Sequence, residues 1–146
     1  MNRNIPVGAR EAFSVSGEII HGKHLGRTLG YPTANLPRPD GDDLPPNGVH
    51  VATLTVFTGP YAGRIFPCVL NQGSQPTAPS GTATVEAYIP DFSGDLYGAQ
   101  VRVDYLQFTR PEQKFASLDA LKAQLARDTQ NALDYFRVHP LIPSSK

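Results

Sequence analysis

Thr82-Ala83-Thr84-Val85-Glu86-Ala87-Tyr88-Ile89 is the stretch that decides the fold class. Val85, Ala87 and Ile89 share one face, while Thr84, Glu86 and Tyr88 share the other. That two-residue period marks a strand with one buried and one polar side, not a helix. Similar runs occupy 13–20, 48–57, 65–70 and 100–108, each rich in Val, Ile, Thr, Phe or Tyr and each bounded by Gly, Pro or Asn. The 14 Pro and 13 Gly cluster between these runs and punctuate short strands.

Helical period emerges only near the end, where Leu118, Leu121, Leu125, Ala132 and Phe136 fall on one stripe. Ser117 is a natural N-cap, Asp119 stands in the positive first turn, and His139-Pro140 stops the helix. Asp128 interrupts the apolar stripe. A buried carboxylate without a partner is too costly, so it is expected to reach water or a cationic neighbour. Five or six short strands followed by one amphipathic helix predict a mostly-β fold, a small antiparallel barrel or sandwich closed by the helix. The βαβ alternation of dinucleotide-binding folds is absent.

With 146 residues, 40% hydrophobic and 18% charged, the chain reads as one domain able to bury a core. Thirteen basic residues balance thirteen acidic ones, so no long-range field would gather nucleic acid or an anionic membrane. Cys68, the single cysteine, sits in Phe66-Pro67-Cys68-Val69-Leu70 and reads as a small core hydrophobe. The first ten residues are polar, and no apolar run approaches the roughly 18 residues of a membrane span. A soluble, cytoplasmic, monomeric protein is expected, with a flexible arm over 1–12, one domain over 13–140 and a tail over 141–146.

The densest chemistry lies in His21-Gly22-Lys23-His24-Leu25-Gly26-Arg27-Thr28-Leu29-Gly30-Tyr31-Pro32-Thr33-Ala34-Asn35. Glycines at four-residue spacing, with Lys23, His24 and Arg27 between them, supply backbone N–H groups and cations that can close around phosphates. An ordinary flexible connection is the plainer alternative. The stretch is neither a Walker A loop nor the Gly-x-Gly-x-x-Gly of dinucleotide folds. His21 and His24 lack both the glycine placement of a nucleotidyltransferase pair and nearby residues to complete a metal site, so neither is assigned a role. Thr33 and Asn35, two apart in an extended segment, point the same way, and Mg²⁺ bound mainly by phosphate and water needs only one or two such oxygens. An Asx or ST turn is the alternative there. Two polar islands, 71–77 and 91–98, read as loops at strand ends. Phe92, Tyr97 and the 110–115 segment either line a slot for a stacked ring or close a barrel mouth.

Taken together, Gly22-x3-Gly26-Arg27-x2-Gly30-Tyr31-Pro32-Thr33-Ala34-Asn35, Asn71-x-Gly73-x2-Pro76-Thr77, Val85-Glu86, Asp91-Phe92-x-Gly94-Asp95-Leu96-Tyr97-Gly98 and Arg110-Pro111-Glu112-x2-Phe115-x-Ser117-Leu118 resemble the riboflavin kinase family. The resemblance covers residues 13–138. In style it is similar to the kinase half of the bacterial bifunctional enzyme that also makes FAD. It implies a six-stranded antiparallel Greek-key β-barrel with a C-terminal α-helix, entered by ATP and flavin from opposite sides. The implied reaction transfers the γ-phosphate of MgATP to the 5′-hydroxyl of riboflavin, giving FMN and ADP. The same resemblance implies Gly22 and Arg27 as phosphate contacts, Thr33 and Asn35 as Mg²⁺ and phosphate ligands, and Glu86 as the catalytic carboxylate. Ile89, Asp91 and Tyr97 would lie near the nucleotide base and ribose, and Arg110, Gln113 and Phe115 near the flavin.

Two positions depart from the family pattern: Gln72 stands where Ile is common and Tyr88 where His is common, and both are expected to flank the active opening. No part of the 146 residues corresponds to the adenylyltransferase half, so FMN and not FAD is the expected product. One alternative is a flavin- or nucleotide-binding barrel that has lost catalysis; the joint presence of Thr33, Asn35 and Glu86 argues against it. Another is an oligonucleotide-binding barrel, disfavoured by the zero net charge and the lack of a basic-aromatic stripe.

Overall fold

The computed structural model describes residues 10–20, 33–39, 44–76 and 83–141. Its strands are β1 (Arg10–Glu18), β2 (Thr33–Pro37), β3 (Gly48–Val56), β4 (Ile65–Pro76), β5 (Ala83–Tyr88) and β6 (Gln100–Pro111), followed by helix α1 (Leu118–Val138). They form one sheet in the order β1-β6-β3-β4-β5-β2, and every pairing is antiparallel. β3, β4 and β5 are consecutive neighbours and β6 returns to lie beside β3, which is a Greek key. The sheet curls until its two edges meet, where the Ile20 N–H donates to the Asn35 carbonyl at 2.7 Å. The chain thus forms the expected six-stranded barrel with a C-terminal helix.

Alternation fills the interior. Leu36, Leu54, Leu70, Val85, Ala87, Val103 and Tyr105 meet inside the barrel around Cys68. Burial pushes the Cys68 thiol pKa up, so the side chain is an inert core hydrophobe as expected. On the outer face Val49, Val51 and Val69 pack against Ala132 and Tyr135 of α1, with Tyr88, Leu106 and Phe136 around them. Among the described residues, no helix is long and apolar enough to cross a membrane.

Three local expectations need correction. β2 is absent from the runs singled out by composition, because five residues containing Pro and Asn carry little intrinsic strand preference. Its ladder with β5 and the inward, fully buried Leu36 hold it instead. β4 continues through residues that read as a loop, because Gln72 is fully buried inside the barrel. The Gln72 amide donates to the Pro45 carbonyl (2.7 Å) and to Asn47 Oδ1 (3.1 Å), and its oxygen accepts from the Tyr105 hydroxyl (2.7 Å). Gln72 is therefore an interior brace and does not rim the opening.

The helix stripe is the third. Ser117 caps α1 as expected, its Oγ accepting from the Ala120 N–H at 3.1 Å, and His139 ends it. Its buried residues, however, are Asp128, Ala132 and Tyr135, whereas Leu118 is 58% exposed and Leu121 and Leu125 are half-buried. The N-terminal half extends past the contact with the sheet, so a stripe with core periodicity is only partly covered.

Candidate active site

Strand register assembles the site. Asn35 on β2 pairs with Glu86 on β5, Glu86 with Asn71 on β4, Asn71 with Val49 on β3, and Val49 with Arg110 on β6. Since Leu36 and Val85 point into the barrel, this row stands on the outer face, the one α1 covers. Directly opposed side chains have Cβ atoms about 4.5–5.5 Å apart. The Glu86 carboxylate is consequently flanked by two amides, Asn35 and Asn71. Thr33, on the same face of β2 as Asn35, pairs with Tyr88 in the adjoining row. Arg110 is three strand spacings from Glu86, roughly 14 Å at about 4.8 Å each.

Asn35 is only 2% exposed, and its Oδ1 has no hydrogen-bond partner among the described residues. An unpaired buried acceptor costs about 1–3 kcal/mol, so this atom calls for a donor or a cation from outside the described residues. A hard cation fits: the atom is an oxygen, and the Thr33 hydroxyl is offered from the same strand face. Tyr88, the second departure, packs at the edge of the α1 cluster beside this row. Gly22, Arg27, His21 and His24 lie outside the described residues.

Past β5 the chain turns sharply, with Phe92 N–H donating to the Ile89 carbonyl at 3.3 Å. Ile89 enters the core, and Asp91 adopts a left-handed φ of 59°, which aspartate tolerates better than most residues. Phe92 settles the earlier choice for itself: it packs on Tyr61 (5.1 Å) and Phe66 (4.9 Å) and closes the barrel mouth. Tyr97 remains 54% exposed, its N–H donating to Asp95 Oδ1 at 2.9 Å. It lines a cavity of ≈ 290 Å³ with Thr58, Pro60, Tyr61, Leu96 and Ala99.

At the opposite barrel end, near the C-terminus of β6, Arg110 forms a bidentate pair with Asp128, Nε to Oδ1 at 2.9 Å and Nη2 to Oδ2 at 2.8 Å. Asp128 is 3% exposed, so the cationic neighbour it requires is Arg110. The guanidinium carbon lies 5.8 Å from the Phe115 ring centroid, and Gln113 is exposed nearby in sequence. Sequence reading singled out Glu86, Asn35 and Arg110 but gave no role to Asn71, whose place beside Glu86 depends on long-range register alone.

Fold and site define a class: a Greek-key barrel with a C-terminal helix, carrying a carboxylate between two amides on its helix-covered face. The sequence matches the riboflavin kinase (Flavokinase) family over residues 9–136, and the chain belongs to that family. It is 41% identical over 124 residues to the bifunctional riboflavin kinase/FMN adenylyltransferase of Escherichia coli (strain K12), covering 85% of this chain and 38% of the relative. The Bacillus subtilis (strain 168) protein of the same description is 31% identical over 129 residues, covering 86% of this chain and 39% of the relative. The chain thus spans well under half of these relatives. Among solved structures, the riboflavin kinase from Trypanosoma brucei superposes with a TM-score of 0.57 at 26% identity, covering 85% of this chain and 79% of that one. A Streptococcus pneumoniae structure described as a macrolide-efflux protein gives 0.67 at 32% identity, over 83% of this chain and 38% of the other.

Proposed function

We propose that the chain is a riboflavin kinase that moves the γ-phosphoryl group of MgATP to the 5′-hydroxyl of riboflavin, releasing FMN and ADP. The Asn35–Glu86–Asn71 row carries this reading, because it sets a carboxylate beside a buried oxygen that has no hydrogen-bond partner among the described residues. Glu86 accepts the proton of the ribityl hydroxyl as its oxygen bonds to phosphorus and the bond from phosphorus to the ADP oxygen breaks. Thr33 and Asn35 would hold Mg²⁺, which when bound neutralises charge on the phosphate oxygens. Gly22 and Arg27 would hold the phosphates.

The cavity lined by Tyr97 supports a base and ribose subsite there. Ile89 and Asp91 are kept in it by the family resemblance alone, since neither lines the cavity. For the flavin, Phe115, Arg110 and Gln113 are followed by the uncovered Leu118 and half-covered Leu121, an apolar patch with one polar edge that suits a flat ring.

Incubating the pure 146-residue chain with riboflavin, Mg²⁺ and ATP and separating the flavins by chromatography is expected to yield FMN and no FAD. Binding of riboflavin without any FMN would favour the non-catalytic barrel. Replacing Asn35 by Leu removes an oxygen while keeping the bulk, so activity should drop and be partly restored at high Mg²⁺. A loss with an unchanged magnesium requirement would take the metal away from Asn35.

A further inference from the structure

The proposed reaction gives no part to Asp128, yet it is the only buried carboxylate among the described residues. Stability does not account for it. Well-packed apolar residues in place of a buried ion pair are commonly at least as stabilising, and α1 already has an apolar stripe in which Asp128 is the exception.

Geometry offers a reason. A guanidinium has five N–H groups. Two of those of Arg110 donate to Asp128, and Nη1 donates to the Pro111 carbonyl at 3.2 Å. Gln124 Nε2 holds Asp128 Oδ1 at 2.9 Å, and Arg127 in turn holds the Gln124 oxygen at 2.9 Å. The carboxylate is clamped, and its bidentate fork fixes the plane of the guanidinium beside Phe115. What remains for a ligand is a pair of N–H groups on the Nη atoms, with the charge already balanced. Such a donor suits carbonyl acceptors on a neutral ring; a phosphate would be better served by a free cation.

We infer that Asp128 is a positioning residue for the flavin ring, acting through Arg110. This rests on the riboflavin kinase reading. Riboflavin binding, read from quenching of its own fluorescence, separates the two because it needs no turnover. Asp128→Asn is expected to raise the riboflavin Kd and KM about ten- to a hundredfold, the effect of a weakened hydrogen bond to a charged group, with the ATP KM unmoved. In an Arg110→Met background, adding Asp128→Leu should change the riboflavin Kd no further.

A purely structural role predicts otherwise. Asp128→Asn would then lower the melting temperature and the folded fraction while the riboflavin Kd stayed at its wild-type value, and that result would overturn the inference. So would independent, additive effects at the two positions. If Asp128→Asn does not fold, Gln124→Leu leaves both charges paired and merely loosens the carboxylate. About a threefold rise in riboflavin Kd is then expected, and an unchanged Kd counts against the inference. Wild-type chain that binds riboflavin but forms no FMN removes the kinase reading and leaves the binding comparison standing.

Discussion

Glu86→Gln is expected to lower kcat by about 10²–10⁴ with riboflavin and ATP both saturating, the contribution of a positioned general base. That range corresponds to roughly 3–5 kcal/mol of barrier. A primary alcohol is a weak nucleophile at neutral pH, and glutamine keeps the length and hydrogen bonding of Glu86 without accepting the proton. Its neighbours in the row, Asn35 and Asn71, are uncharged amides. Substrate binding should persist, so the loss belongs in kcat. Retention of more than about a third of wild-type kcat would remove Glu86 from the role of base, since a real base loss lies far outside that range.

Gly48→Ala should produce the largest loss of stability. Gly48 opens β3 at a φ of +142°, and a Cβ there would lie 2.2 Å from the Arg110 carbonyl oxygen and 2.8 Å from Pro111 Cα. Both contacts are backbone atoms of the paired strand β6, so neither can swing aside as a side-chain tip would. Backbone strain alone costs about 1–3 kcal/mol, and the overlap adds to it. A drop of at least ~3 kcal/mol is expected, a large share of the 5–15 kcal/mol typical of a domain. Gly63 supplies the control: its φ is +90°, but no atom lies within 4 Å of an added Cβ. Thermal melting should therefore rank wild type above Gly63→Ala and Gly63→Ala well above Gly48→Ala. Equal midpoints for the two variants would mean that the overlap with β6 is relieved at no cost.

How far the sequence could be read depended on whether the signal was local. The alternation in β5 and the helical period of α1 are signals within one segment, and both elements form, although α1 buries Asp128, Ala132 and Tyr135 and leaves much of its leucine stripe uncovered. The mismatch at Asp128 is equally local: it called for water or a cationic neighbour, and the fold supplies the cation. Which cation was not readable, because Arg110 lies 18 residues away on another element. Gln72 shows the same limit from the other side. A polar residue after an apolar run suggests a loop until its partners, Pro45, Asn47 and Tyr105, are brought to it by the fold. The central carboxylate was identified through family resemblance, but its flanking by Asn35 and Asn71 is a product of register between three strands.

The seam between Ile20 and Asn35 has a consequence for the order in which the molecule can assemble. β1 and β2 come early in the chain, yet they occupy the two outer edges of the sheet, and Ser14 on β1 bonds Asp104 across 90 residues. Neither edge strand has its ladder partner until β5 and β6 exist. During synthesis the first two strands must therefore wait for most of the polypeptide, and such non-local pairing is characteristic of slow folding. Asn35 joins the seam through its backbone and the proposed catalytic row through its side chain. With the proposed role of that row, catalytic competence and final closure of the barrel arrive in the same kinetic event, so recovery of activity after dilution from denaturant should track the slowest folding phase.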